Sequence, residues 1–104
     1  MTNGCQKGER EAAKAIREAL GVSARRGQQH TGLEGEDIVT DVPDTHFEVK
    51  RVERFNLYEA LSQSIRDAKE KIPVVLHRKN RQPWVVVVRV QDLLRFAKAI
   101  LATQ

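Results

Sequence analysis

Apolar residues recur along this chain with two periods, and the switches between them mark its elements. Over residues 7–20 they return every three or four positions, the spacing of a helix. With Glu9 set at zero and 100° per residue, Ala13, Ile16 and Leu20 fall within about 40° of it, while Glu11, Lys14 and Glu18 point away. Glu9 therefore stands in the middle of an apolar stripe. Two readings are open: a core-facing carboxylate, which is costly unless paired or bound to a metal, or a frayed first turn in which Glu9 reaches water near the helix N-terminus. Gly21 follows as a C-cap.

Period two takes over next. Residues 22–29, carrying Arg25 and Arg26, read as a strand, residues 36–42 as a second and residues 46–52 as a third, with Pro43-Asp44 as the turn before the third. In the third, alternation puts Phe47 and Val49 on one face and His46, Glu48 and Lys50 on the other. Asn56, with Glu59 three residues on, starts a helix whose apolar stripe is Leu57, Leu61, Ile65, Ala68 and Ile72, ended by Pro73. Residues 74–77 and 84–90 read as two more strands joined by a basic link, residues 78–83. Trp84-Val85-Val86-Val87-Val88 is apolar throughout, which predicts a strand covered on both faces. A last helix, residues 92–101, turns Leu93, Phe96, Ala97, Ile100 and Leu101 inward. The predicted order is α-β-β-β-α-β-β-α, an α/β layer domain.

Composition narrows the class. A chain of 104 residues, 40% hydrophobic and 31% charged, has room for one core and carries the apolar content to fold it. Membrane spanning is not expected, because no apolar run approaches the ~18 residues it needs, and residues 1–10 lack a signal-peptide core. The single cysteine, Cys5, excludes an internal disulfide framework and a zinc site of several thiolates, and His30, His46 and His77 lack zinc spacing. These features predict one cytoplasmic domain over residues 1–104. The net charge of +4 is unevenly spread: residues 53–104 carry ten Lys/Arg against five Asp/Glu, and residues 1–52 eight against nine. Between Gly27 and Val49 there is no Lys or Arg, yet Glu34, Glu36, Asp37, Asp41, Asp44 and Glu48 fall there. A basic body suits a polyanion, and an acidic pocket inside it suits a cation; charges that simply face water are the plain alternative.

Asp37 heads one strand, and Glu48-Val49-Lys50 lies on its expected antiparallel neighbour, so two carboxylates come close enough to share a divalent cation. Oxygen ligands suit Mg²⁺ or Mn²⁺ rather than zinc. A metal and an adjacent ammonium are what phosphodiester hydrolysis needs. By itself Asp…Glu-x-Lys also fits an exposed ion pair worth ~0–1 kcal/mol.

Taken in order, Lys7-Gly8-Glu9-Arg10-Glu11, Arg25-Arg26, Glu36-Asp37-Ile38-Val39, Phe47-Glu48-Val49-Lys50, Ile72-Pro73-Val74-Val75 and Trp84 resemble the PD-(D/E)XK nuclease superfamily. Within it they are most similar to the small archaeal-type Holliday junction resolvases and their phage-encoded relatives, over residues 7–90. The resemblance implies a restriction-endonuclease-like fold, a central mixed five-stranded sheet flanked by helices. It makes Asp37, Glu48 and the Val49 carbonyl ligands of Mg²⁺ (with Mn²⁺ substituting), Glu9 a ligand through water, and Lys50 the catalytic lysine. Arg10 and one of Arg25 or Arg26 then grip the DNA backbone. Apart from the resemblance, Arg78, Lys79 and Arg81, in a link free of acids, and Arg51 are expected to extend the DNA-binding surface. The implied activity is Mg²⁺-dependent cleavage of branched DNA, chiefly four-way junctions, by a homodimer of prokaryotic or phage origin. A nicking or flap-cleaving nuclease of the same superfamily, and a non-catalytic DNA-binding module, remain the alternatives. The family's Pro-Asp is Glu36-Asp37 here, and the arginine doublet leaves two candidates for one role. Gln63 resembles a glutamine of other branches of the superfamily.

Overall fold

The computed structural model describes residues 3–27 and 37–104, and side chains from Lys7 onward. Expectations that fall on His30, Glu34, Glu36 and the far end of the first predicted strand lie outside the described residues. The element order is α1 (Asn3–Leu20), β1 (Ala24–Arg26), β2 (Ile38–Thr40), β3 (Thr45–Arg51), α2 (Leu57–Ala68), β4 (Ile72–Arg78), β5 (Val85–Val87), a 3-10 turn (Val90–Asp92) and α3 (Leu93–Leu101). The architecture is α/β: among the described residues, one five-stranded mixed sheet in the order β1-β2-β3-β4-β5, flanked by helices. The order differs from expectation in the 3-10 turn that precedes the last helix.

β3 lies at the centre. It meets β2 antiparallel, with Ile38 opposite Phe47, and β4 parallel over its whole length, from Thr45 opposite Ile72 to Arg51 opposite Arg78. Parallel neighbours need a crossover, and α2 supplies it. Asn56 caps that helix by accepting the Glu59 N–H at 3.1 Å.

The two faces of the sheet are covered differently. On one, Ala12, Ala13 and Ile16 of α1 and Phe96 of α3 close over Ile38, Phe47, Val74 and Leu76, all buried. Phe96 meets Phe47 edge-on, with ring centroids 6.2 Å apart. On the other face α2 packs against β4 and β3. Its buried residues are Ala60, Ser64 and Ala68, rather than the leucines of the predicted stripe; small side chains let the helix sit close to the sheet. Leu57 is exposed, and Ile72 belongs to β4. The helix ends at Ala68, with Lys69 in the left-handed region at φ 58°. Pro73 is therefore a strand residue and not the helix stop.

Two expectations for the C-terminal third are corrected. Val85 and Val86 are 47% and 45% exposed, because β5 is an edge strand and not one covered on both faces. In α3 only Phe96, with Ala99 and Ile100 beside it, packs on the core, whereas Leu93 and Leu101 are exposed and Ala97 faces water.

Gly8 fixes how closely α1 approaches the sheet. A Cβ placed there would lie 2.8 Å from Arg51 Cβ and 3.2 Å from its Cγ. In a free helix Gly→Ala gains ~1 kcal/mol, but here the obstruction sits at the root of a side chain and cannot swing away. Gly8→Ala is expected to lower stability by ~1–2 kcal/mol through overpacking. Urea denaturation checks this; a variant as stable as its parent would mean that α1 sits further from β3 than described.

Candidate functional site

The site forms where α1, the start of β2 and the second half of β3 meet. Asp37 immediately precedes β2, and its N–H donates to the Phe47 carbonyl at 3.1 Å while its own carbonyl accepts from Gly27 N–H at 2.9 Å. These bonds pin its backbone between two strands. Its carboxylate Oδ2 accepts the Val49 N–H at 2.8 Å, reaching across to the strand that carries Glu48 and Lys50. Asp37 and the Glu48-Val49-Lys50 segment are thus brought together as expected.

Glu9 is also where its helical phase puts it. The first turns of α1 are formed, and the Glu9 side chain is 16% exposed, so the frayed-turn reading is set aside. Its carboxylate lies 4.0 Å from Arg26 Nη1. This separates the arginine doublet: Arg26 is half-buried beside Glu9, and Arg25, one residue earlier on β1, is exposed.

The three acids feel one another. Burial, then the charge of Asp37, raises the Glu9 carboxyl above its ordinary 4.5, with Arg26 pulling the other way. The Glu48 carboxyl is pushed up to about 7 by burial first, then by Asp37 and Asp67, with Lys50 opposing and Glu9 adding a smaller push. Glu48 Oε1 is buried and has no hydrogen-bond partner. A carboxylate held away from water and near like charges is unfavourable by itself, and a cation would relieve it. The donors are carboxylate oxygens and fit a hard divalent cation. Among the described residues, no three His, Cys, Asp or Glu side chains stand gathered tightly enough to enclose a metal ion as they are placed.

One participant was not legible from the sequence, and a second was legible only as a neighbour. Asp67 lies on α2, and its influence on Glu48 follows from how that helix sits over β3. His46, on the Glu48 face of β3, is buried with its Nδ1 3.8 Å from Glu48 Oε1. Alternation puts it on that face and at the border of the site; its approach to Glu48 is what the structure adds.

The basic candidates divide into two groups. Arg51 Nε bonds Glu11 at 3.3 Å and its Nη2 bonds Asn80 Oδ1 at 3.1 Å, with Glu53 3.6 Å away. Arg78 Nη1 meets the same Glu11 oxygen at 3.2 Å, and its Nε donates to the Gln82 carbonyl at 2.6 Å. These two arginines tie α1 to β3, β4 and the turn after β4. Arg10, Arg25, Lys79 and Arg81 are exposed. Gln63 is exposed on α2. His77 stacks on Phe55, centroids 4.0 Å apart, and its Nε2 lies 3.0 Å from the Val52 carbonyl, so it is occupied structurally. Compared with family models, curated proteins and solved structures, the chain matches none.

Proposed function

We infer that this protein is a Mg²⁺-dependent, structure-selective DNA endonuclease of the PD-(D/E)XK kind, cutting four-way junctions as a homodimer. One observation carries the reading: Glu9, Asp37 and Glu48, from three separate elements, act on one another electrostatically, beside a lysine on the same strand face as Glu48. The element order from α1 to β4 agrees with a restriction-endonuclease-like fold.

Asp37, Glu48 and the Val49 carbonyl would hold the cation, with Glu9 completing the set through water. Bound there, it would supply a water of lowered pKa and neutralise charge developing on the phosphate. Lys50 shares the strand face of Glu48, where its ammonium orients the attacking water and offsets negative charge. Arg26 reaches the backbone phosphate beside Glu9. Arg10, Arg25, Lys79 and Arg81, being exposed, contribute phosphate contacts and affinity rather than chemistry.

Two opposed cuts at a junction call for two sites related by a two-fold axis. Exposed apolar surface suits such an association: Val85 and Val86 on the edge strand, and Val90 and Leu94 at 89% and 66% exposure around the start of α3. A gel assay of a four-way junction against linear duplex, with and without Mg²⁺, tests the reading. Mg²⁺-dependent cutting that favours the junction is expected. Equal cutting of both would leave another nuclease of the same superfamily, and no cutting of either would leave a DNA-binding module.

A further inference from the structure

Among the described residues, three buried side-chain atoms lack a hydrogen-bond partner: His46 Nδ1, Glu48 Oε1 and Ser64 Oγ. Unpartnered buried polar atoms are uncommon and call for an explanation. Here they belong to one layer. His46 and Glu48 alternate on the β3 face turned away from Phe47, whose ring packs against α3, and Ser64 is on the buried side of α2, which covers that face. Asp67, one turn further along α2, acts on Glu48 from the same helix. The His46 side chain is 7% exposed and that of Glu48 15%, and their two orphan atoms are 3.8 Å apart. A small side-chain rotation closes that gap to hydrogen-bond length and satisfies both at once.

Resting on the nuclease reading above, we propose that His46 is a positioning residue for Glu48: its Nδ1–H donates to Glu48 Oε1, fixing the carboxylate and leaving the other oxygen for the cation. The donor comes from the strand two residues away, so it turns with β3 and sets the carboxylate plane. Partners of this sort orient ligating groups, and their loss commonly weakens metal binding 10–100-fold. Lys50 follows Glu48 by two residues on the same face of β3, so the two neighbours flank the carboxylate from opposite directions along the strand.

The test uses the purified full chain without DNA, with Mn²⁺ as the probe, read by electron paramagnetic resonance titration. His46→Phe, which keeps a planar ring and removes the donor, is expected to weaken Mn²⁺ binding about tenfold or more. His46→Asn, whose Nδ2 can occupy the place of Nδ1, is expected to recover binding to within about threefold of the parent. A His46→Phe protein that binds Mn²⁺ like its parent overturns the proposal, as does an Asn variant no better than Phe. Nitrogen-15 spectra of the metal-free parent give an independent reading: His46 Nδ1 carries an exchange-protected proton whose resonance moves upfield in Glu48→Gln. An unprotonated Nδ1 overturns the proposal whatever the metal does. Glu48→Gln and Asp37→Asn titrated alongside separate the two ideas. If both bind Mn²⁺ as the parent does, the cation site itself is refuted while the imidazole spectra still decide the His46–Glu48 bond.

Discussion

Asp37→Asn protein is expected to fold, to bind branched DNA at least as well as its parent, and to lose Mg²⁺-dependent cleavage by about 10³-fold or more. The carboxylate has two separable jobs. Its Oδ2 accepts the Val49 N–H at 2.8 Å, which secures β3 beside the start of β2. Its charge acts on Glu9 and Glu48. Asparagine keeps an oxygen for the Val49 N–H and discards the charge, so architecture and chemistry are tested apart. Alanine would be a poorer choice: it strands a backbone donor at a cost of about 1–3 kcal/mol and confuses unfolding with inactivity. DNA affinity should hold or rise, since a negative charge near phosphate is gone. Lys50→Ala should fail in the same assay for a different reason, having lost the cation that offsets charge in the transition state. Gel cleavage of a four-way junction, with a thermal melt of the same sample, decides the matter. Undiminished Mg²⁺-dependent activity in Asp37→Asn would remove Asp37 from the catalytic set.

The parts of this site that were legible in the sequence are those set by local periodicity. One strand's alternation places Glu48 and Lys50 on a shared face, and 100° per residue turns Glu9 inward before any tertiary contact is known. What the sequence hid depends on long-range placement. The valine run of β5 is as apolar as a buried strand, but it lies at an edge, since among the described residues no further strand pairs beyond β5. In α2 the large apolar residues drew attention, whereas close approach to the sheet selected Ala60 and Ser64 beside the expected Ala68. That approach brings Asp67 to bear on Glu48, a pairing nineteen positions apart with no local signature. Arg51 and Arg78 look like free cations along the chain; only the folded register, which sets them opposite each other on β3 and β4, lets both reach Glu11.

The crowding of acids around Glu48 should also be measurable as instability, with no DNA present. In chelator, Glu48→Gln is expected to be more stable than the parent at pH 8, by up to about 3 kcal/mol, and equal to it below about pH 4.5. Glu48 titrates near its ordinary 4.5 in the unfolded chain and near 7 in the folded one, so the folded state holds the proton more tightly. Below 4.5 both states are protonated and the parent suffers no penalty. As pH rises from 4.5 toward 7 the unfolded chain releases its proton first, and stability falls. Above 7 both states are ionised and the deficit is constant. The Glu48 side chain is only 15% exposed, so little of this is screened away by solvent, and the ceiling set by the distance between 4.5 and about 7 is roughly 3 kcal/mol. Glutamine stays neutral throughout and matches the protonated acid in shape, so its curve lacks the fall. Glu9, raised in the same direction, adds a smaller decline of the same sign to both proteins. Urea melts at pH 4, 5.5 and 8 make the comparison. Parallel stability curves for parent and variant across that range would show that ionising Glu48 carries no net penalty in the folded chain, and the acid crowding that supports the site would fall with it.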